Sequence, residues 1–227
     1  MFSVIQRLCP QVQQSMSLSV HYIALVAKQL EIEELKRLKS RAQLVGAVGH
    51  MIHVLQTERG SSSIYLASSG ERFIHERQAH VAESELIEKT LRDRIEAELD
   101  KSSYANTKII SLMAWVILGL DAMPDLRKRI DELKLPGEEL VAAYSRLIAG
   151  LISLIFEVAD AAIDPDVSRI LVALFNFIQG KELAGQERAV GALSFGSRLC
   201  SEHLQQKISH LTDAQESSLK SFSSLHP

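Results

Sequence analysis

Two short stretches of this sequence place a glutamate–arginine pair in the middle of an apolar pattern. The pairs are Glu58-Arg59, within Leu55 to Leu66, and Glu187-Arg188, within Lys181 to Ala189. An arginine among apolar and small residues is costly to bury unless an anionic group meets it. Because a guanidinium presents its donors as a planar fork, it suits planar oxyanions such as nitrate or a carboxylate. The two stretches therefore indicate a site for a small anion between two helices.

The neighbours of the two arginines differ. Residues three and four positions away share a helix face, and for Arg59 they include the hydroxyls of Ser62 and Ser63. The corresponding neighbours of Arg188 are Ala184, Gly185, Gly191 and Ala192. Such small residues let another helix approach closely or leave room for a ligand. Arg59 and Arg188 are thus the candidate anion ligands, with Ser62 and Ser63 as added donors and Gly185 as the residue that provides room.

The same pairs also fit a site without a ligand. If the two helices pack antiparallel, Glu58 would form a salt bridge with Arg188, and Glu187 with Arg59. A glutamate beside an arginine is also common on solvated helix faces, and helical periodicity does not distinguish these arrangements. Two functions stay open at this point. One is the binding of a small anion, and the other is that of an all-helical protein-interaction module in which the arginines form structural salt bridges.

The elements that must position these residues are helices. Every periodic segment has a spacing near 3.6 residues, and none alternates as a strand does. Apolar spacing and Gly or Pro punctuation predict helices over 3–30, 31–68, 71–101, 106–122, 125–133, 138–163 and 167–198, followed by a tail helix. Gly70 is expected to end the second helix. The pattern predicts an all-α bundle of about seven or eight helices with two long ones at its centre.

The tail from Leu204 to Leu225 has stripe positions that alternate by four and three residues. Two of the seven positions, Gln215 and Ser218, are polar. Both a coiled-coil seam and a terminal helix docked on its own bundle fit this pattern.

Composition excludes several classes of protein. The chain has 227 residues, of which 46% are hydrophobic, so it can bury a sizeable core, and its net charge of −3 argues against a general nucleic-acid surface. The lone thiols Cys9 and Cys200 fit a reducing compartment. The apolar runs Ile109–Leu120 and Leu147–Phe156 are shorter than the roughly 20 residues of a spanning helix. A cytoplasmic protein without a membrane segment is expected.

No catalytic or metal-binding set can be assembled from the remaining polar residues. His50 and His53 lie one helical turn apart, but no third ligand is evident near them in sequence. The serines at 61–63 lack the strand–turn–helix context of a nucleophile elbow. We therefore expect no enzyme activity, no metal and no cofactor.

The order of the motifs resembles the NIT family, the nitrate- and nitrite-sensing domain of bacteria. The residues that carry the resemblance are Leu-Gln-x-Glu-Arg-Gly at 55–60, Tyr-Ser-Arg-Leu-Ile at 144–148 and Lys-Glu-x-Ala-Gly-Gln-Glu-Arg-Ala at 181–189, within roughly 45–225. The resemblance implies two packed four-helix bundles that share long helices. It also implies that the two motif arginines, here Arg59 and Arg188, bind nitrate or nitrite. An apolar residue is more usual in the family where this chain has Ser61, a departure that bears on the helix contact or the anion preference.

The resemblance also implies how such a sensor acts. Glu58 and Glu187 are expected to orient or neutralise the arginines rather than to touch the anion. Family members usually carry an output module, whereas the tail here is neither basic nor long enough for a second domain. We therefore expect residues 1–227 to form a single sensor domain without a separate output domain, which signals by helix rearrangement. Either the chain is a fragment of a longer regulator whose output module is missing, or it is a stand-alone sensor that acts on a partner. It would signal through its C-terminal helix, to a second copy in a homodimer or to a regulatory protein, without direct contact with nucleic acid.

Overall fold

A computed structural model describes residues 20–99, 107–160, 165–197 and 202–225, and every regular element in these ranges is a helix. The helices are α1 (Val20–Ala67), α2 (Ile74–Leu99), α3 (Thr107–Asp121), α4 (Met123–Asp131), α5 (Gly137–Asp160), α6 (Pro165–Ser197) and α7 (Glu202–Leu225). The all-α prediction is confirmed, and the number of helices in these ranges is close to the number expected.

The chain divides into two compact units, residues 1–41 and 42–227. In the first unit, residues 20–41 are the beginning of α1, where charged side chains pair along the helix, as Lys28 does with Glu31 at 2.6 Å. The prediction of separate helices over 3–30 and 31–68 is wrong at their junction, because α1 continues through it. No Gly or Pro occurs between residues 20 and 45 to interrupt the helix. The predicted start of the first helix lies outside the described residues.

The core of the second unit lies between the later half of α1 and the helices that follow it. Val45, Val48, Ile52 and Leu55 recur at helical spacing on α1, and all four are buried. They belong to a core that includes Leu91 of α2, Val116 of α3, and Tyr144, Ile148 and Leu151 of α5. The apolar stripe of α1 therefore fixes which residues between 42 and 67 face the other helices.

The end of α1 is set by backbone conformation. Gly70 has a φ of 84°, which a glycine adopts without strain, and its N–H donates to the carbonyl of Tyr65 at 2.9 Å. The prediction that Gly70 stops this helix is confirmed. Further along, Pro124 lies in the first turn of α4, where its missing N–H costs no helical hydrogen bond.

The tail helix α7 packs against α6. The ring centroids of Phe177 and Phe222 are 5.5 Å apart. Leu219 packs against Gly180 so closely that a Cβ at Gly180 would be 3.3 Å from the Leu219 side chain. Of the two alternatives that the sequence leaves open for the tail, a terminal helix docked on its own bundle is the one observed.

Two stretches are long and apolar enough, by length and composition alone, to cross a membrane. They are 107–131 and 137–158, which are longer than the apolar runs that the sequence pattern marks. In the second, 61% of the most apolar 18-residue window is buried inside the protein, as in the core helix of a soluble protein. The first is 28% buried and exposes Trp115 and Leu118. Two such helices are weak evidence for a membrane.

Candidate functional site

Glu58 and Arg59 are adjacent in α1, and both are almost fully buried, at 0% and 1% exposure. Successive helical residues point about 100° apart, so the two side chains enter different groups of helices. We call the group formed by Arg59, Gln56, Ser145, Glu182 and Gln186 the Arg59 cluster. The group formed by Glu58, Ser62, Arg77, Arg127 and Tyr144 is the Glu58 cluster.

In the Arg59 cluster, the guanidinium binds the carboxylate of Glu182 through two hydrogen bonds. Nη1 donates to Oε1 at 2.5 Å, and Nη2 donates to Oε2 at 3.1 Å. Nη1 also donates to the Ser145 hydroxyl at 2.8 Å. Because Ser145 lies on α5 and Glu182 on α6, this one side chain joins α1 to both helices.

Two amides complete the surroundings of Glu182. Gln56 Nε2 donates to Oε2 at 2.9 Å, and Gln186 Nε2 donates to Oε1 at 2.8 Å. Gln186 is four residues after Glu182 on α6, so the two share a helix face. With the two bonds from Arg59, the carboxylate accepts four hydrogen bonds while only 2% of Glu182 is exposed.

The Arg59 cluster nevertheless contains unused hydrogen-bonding groups. Arg59 Nε and Gln56 Oε1 are buried and have no hydrogen-bond partner in the described structure. Most buried donors in proteins are paired, so an unpaired one needs a reason. Nε is a donor, so only an acceptor could satisfy it, whereas Gln56 Oε1 requires a donor.

Gly185 lies directly against this guanidinium. A Cβ at that position would be 2.6 Å from Arg59 Nη2, closer than real contacts allow. Gly185 therefore lets α6 pack closely against Arg59, and its role of providing room for an anion stays a prediction. Gly191 differs, because a Cβ there would meet nothing within 4 Å.

The second motif arginine is elsewhere on α6. Arg188 is exposed, and it lies about 120° around the helix axis from Glu182, which faces Arg59. Burial and the positive charge of Arg188 together lower the pKa of Lys181. The structure does not show Arg59 and Arg188 sharing a partner.

In the Glu58 cluster, the carboxylate is held by Arg127 and Tyr144. Arg127 Nε donates to Oε1 at 2.8 Å and Nη2 donates to Oε2 at 3.0 Å, while the Tyr144 hydroxyl donates to Oε1 at 2.7 Å. Burial and the adjacent Glu58 raise the pKa of Tyr144 well above its ordinary value. Burial works against the charged form of Arg127, but its bonds to Glu58 outweigh this and raise the pKa of Arg127.

The salt bridges that the sequence suggested therefore have other partners. Glu58 pairs with Arg127 rather than Arg188, and Arg59 pairs with Glu182 rather than Glu187. Glu187 is half-buried and forms no ion pair with either motif arginine. The reason is helix phase, because Glu182 and not Glu187 lies on the face of α6 that meets Arg59.

The serines after Arg59 are engaged within the protein. Ser62 accepts a hydrogen bond from Arg77 Nε at 3.2 Å, and Ser63 donates to the backbone carbonyl of Arg59 at 2.8 Å. Ser61 donates to the carbonyl of Glu58 at 3.1 Å, and its oxygen lies 3.0 Å from His80 Nδ1. A polar residue at this buried position is therefore satisfied. The roles of Ser62 and Ser63 as anion donors stay predictions.

Sequence reasoning missed several members of both clusters. Glu182, Gln186 and Gln56 stand inside the quoted motifs, and so do Tyr144 and Ser145, but spacing alone assigns none of them a partner. Arg127 lies outside the motifs altogether. The available signal was the Glu182–Gln186 separation of four, which places a carboxylate and an amide on one face of α6.

Lys181 and His53 lie beside each other at the border of the Arg59 cluster. Lys181 Nζ and His53 Nδ1 are 3.1 Å apart, and burial, followed by the charge of Lys181, lowers the pKa of His53. No group of three or more metal-ligating side chains is present in the ranges that the structure describes.

Most of the chain is similar to proteins that are described by their response to nitrate. Residues 50–227 match the NIT family, described as nitrate and nitrite sensing. The chain is 35% identical over 202 residues to a nitrate regulatory protein of Klebsiella oxytoca, covering 88% of this chain and 50% of that protein. It is also similar to the structure of the NasR transcription antiterminator, with a TM-score of 0.82 and 32% identity over 92% of this chain and 56% of the other. The chain thus spans about half the length of these relatives.

Proposed function

The chain belongs to the NIT family of nitrate- and nitrite-sensing domains, and on that premise we propose that it binds nitrate or nitrite through Arg59 and Arg188. The observation that carries this proposal is the buried guanidinium of Arg59, which retains an unpaired Nε–H while Arg188 lies exposed on the adjoining helix. Ser62 and Ser63 would act as added donors only by exchanging their present partners, Arg77 and the carbonyl of Arg59, for the anion. Gly185 supports the site by letting α6 pack against the Arg59 guanidinium. Glu58 and Glu187 support it without touching the anion.

The anion acts by completing a set of charges. In the structure, Glu182 balances the charge of Arg59, and Arg188 is in contact with solvent. Bringing the Arg188 guanidinium beside Arg59 is unfavourable unless a negative charge lies between them. Nitrate supplies that charge, so its binding favours a state in which the helices that carry Arg59 and Arg188 are drawn together and Arg188 reaches the anion while Glu182 stays paired with Arg59. A ligand shifts such an equilibrium only by its different affinity for the two states.

The small size of the ligand limits its affinity. Four heavy atoms at about −1.5 kcal/mol each give roughly −6 kcal/mol, which corresponds to a Kd of about 40 μM or weaker. A sensor of this kind responds to anion concentrations in the range from micromolar to millimolar.

The proposed output is regulatory and not catalytic. One relative is named a nitrate regulatory protein and another a transcription antiterminator. We place the protein in the cytoplasm, with residues 1–227 as one sensor domain and α7 as the element that passes the signal to a second copy or a regulatory partner. Because one relative is a transcription antiterminator, we do not extend the sequence-based exclusion of nucleic acid to the regulator as a whole.

Thermal melting in nitrate, nitrite, chloride and sulfate at matched ionic strength tests the proposal. At about 100 times Kd, bound anion adds roughly 2.7 kcal/mol to the unfolding free energy, or on the order of 5–10 °C in Tm. The rise should occur in nitrate or nitrite and vanish in both Arg59→Ala and Arg188→Ala. Arg146→Ala, which removes another exposed arginine, serves as the matched control and should keep the rise.

The baseline Tm of the two variants should differ. Arg59→Ala leaves the buried Glu182 unpaired and lowers Tm without any anion, whereas Arg188→Ala removes an exposed side chain and leaves Tm nearly unchanged. Equal melting of the parent in all four salts would contradict the proposal. It would favour the alternative of a protein-interaction module with purely structural salt bridges.

A further inference from the structure

We infer that Glu182 is the positioning residue of the anion site, because it holds Arg59 by one edge and leaves the other edge free for a planar monovalent oxyanion. The inference rests on the proposed function and adds to it the residue that determines which charge of anion is accepted. Glu182 is adjacent in sequence to Lys181 and lies six residues before Arg188, on the face of α6 that meets α1.

A guanidinium has two edges that can each bind a planar anion through two hydrogen bonds. One is the end formed by Nη1 and Nη2, and the other is the side formed by Nε and Nη2. In this protein Glu182 occupies the end, at 2.5 and 3.1 Å. Nε, on the side edge, has no hydrogen-bond partner although Arg59 is only 1% exposed. The unoccupied edge is therefore the one available to a ligand.

Glu182 is itself fixed in place. Gln56 and Gln186 donate to its two oxygens at 2.9 and 2.8 Å, and Ser145 accepts from Nη1 of Arg59 at 2.8 Å. Each of these partners comes from a different helix, α1, α6 and α5. The plane of the guanidinium is thus determined before any anion arrives, which lowers the ordering required for binding.

Gly185 is the residue of α6 that allows this close contact with Arg59. A Cβ there would be 2.6 Å from Nη2, the nitrogen that the two edges share, and 4.0 Å from Glu182 Oε2. The backbone of α6 consequently approaches Nη2 without a side chain covering it.

Charge balance distinguishes a positioning role for Glu182 from that of an internal competitor for the anion. If nitrate replaced Glu182, Arg59, Arg188 and nitrate would sum to +1, and the displaced carboxylate would need a new partner. If Glu182 stays, the two arginines, Glu182 and nitrate sum to zero. Uncompensated buried charge is strongly unfavourable, so the arrangement that keeps Glu182 is preferred. A divalent anion would leave this set at −1.

The charge argument predicts a reversal of selectivity in Glu182→Gln. The substitution keeps the size of the side chain, removes its charge and replaces one accepting oxygen with a donating NH2 group. The two arginines then balance a divalent anion. We expect nitrate affinity to fall by at least 10-fold, and the ratio of nitrate to sulfate affinity to fall further, because sulfate is no longer disfavoured by charge. Isothermal calorimetry of the whole chain with nitrate and with sulfate, at matched ionic strength, measures both constants.

Controls separate this effect from simple loss of structure. Glu96→Gln removes one negative charge from an exposed position on α2 and should leave both affinities unchanged. If Glu182→Gln does not fold, Gln186→Met keeps the charge and removes one donor to Glu182. It should then weaken nitrate several-fold without changing the order of nitrate and sulfate.

The outcomes distinguish this inference from the proposed function. Tighter nitrate binding by Glu182→Gln would show that Glu182 competes with the anion, and unchanged affinities would show that it has no part in the site. Either result overturns the inference, and the proposed function stands if nitrate binding still requires Arg59 and Arg188. Failure of the parent chain to bind nitrate or nitrite would overturn the proposed function itself.

Discussion

Glu58 and Arg59 are neighbours in one helix, yet the clusters they form differ in how completely their hydrogen bonds are used. Both oxygens of Glu58 are occupied, and every buried side-chain nitrogen and oxygen of the described Glu58 cluster has a partner. In the Arg59 cluster, Arg59 Nε and Gln56 Oε1 have none. Two adjacent residues thus begin one network that is complete and one that is not.

The pairing of hydrogen bonds can thus distinguish a buried charged cluster that only stabilises the fold from one that could also bind a ligand. A fully paired polar network has no capacity for a ligand and contributes to a unique packing of the helices. A network with an unpaired donor has such capacity, and in a native protein the unpaired group has a reason. Burial and charge alone would have assigned both clusters the same role.

We expect the greatest loss of stability when the fully paired Glu58 cluster is broken. Arg127→Met leaves Glu58 buried without its cation and should lower the unfolding free energy by about 3–5 kcal/mol, or on the order of 10–15 °C in Tm. Nitrate should add the same increment to this variant as to the parent. Chemical denaturation with and without nitrate measures both quantities. Arg129→Met, on the same helix but 44% exposed at its side chain, should change stability by less than about 0.5 kcal/mol.

Gly185 and Gly191 of α6 differ in what a Cβ would meet, so they test the incomplete network of Arg59. Gly185→Ala places a Cβ against Arg59 Nη2 and should cost about 1–3 kcal/mol, with loss of the nitrate-dependent rise in Tm. Gly191→Ala meets nothing and should stabilise the helix by about 0.5–1 kcal/mol with the nitrate effect intact. Melting curves of both variants, with and without nitrate, measure the stability and the nitrate-dependent rise in Tm. The same rise in both variants would mean that the close contact of α6 with Arg59 has no part in anion binding.

Adjacent residues on α5 allow a finer version of the same test. Tyr144→Phe removes a hydrogen bond to Glu58 and should cost about 1.5 kcal/mol of unfolding free energy without altering nitrate affinity. Ser145→Ala removes an acceptor of Arg59 Nη1, should cost about 1 kcal/mol, and should weaken nitrate several-fold. Calorimetric titration with nitrate reads out the contrast. Weaker nitrate binding in Tyr144→Phe would show that the two clusters are not independent.

The smallest expected effect is a dependence on pH at the border of the Arg59 cluster. Burial, Lys181 and His50 lower the pKa of His53 below 6.5 and outweigh the opposing effect of Glu83. The corresponding stability is present above the unfolded pKa and is lost as the pH falls through the folded pKa. Between pH 7.5 and pH 5, His53→Gln should therefore lose less stability than the parent. A histidine NMR titration should show the pKa of His53 rising when nitrate is added, and an unchanged pKa would place the anion away from Lys181.

The sequence predicted the helices well because their signals are local. The apolar spacing of Val45, Val48, Ile52 and Leu55 identifies the buried face of α1, and Gly70 marks its end. The same local rules failed where a change of polarity at residues 30 and 31 suggested a boundary. A helix ends for backbone reasons, and neither residue supplies one.

The candidate site was less accessible to sequence reasoning. The burial of Arg59 among apolar neighbours, and its need for an anion, follow from spacing. Its partner does not, because Glu182 and Glu187 both lie near the second arginine in sequence and only the rotation of α6 about its axis selects between them. Arg127 carried no signal, since an arginine in a short amphipathic helix is indistinguishable from one on a solvated surface.

The contact between Gly180 and Leu219 joins α6 to α7 on the side of α6 that faces away from Arg59. Gly180 and Glu182 are two residues apart and point about 160° from one another around the helix. One side of α6 therefore contacts Arg59 through Glu182. The opposite side contacts α7 through Leu219 and the Phe177–Phe222 ring pair. If an anion binds at the proposed site and shifts α6, the shift is passed to α7 across the width of one helix, with no other element between them.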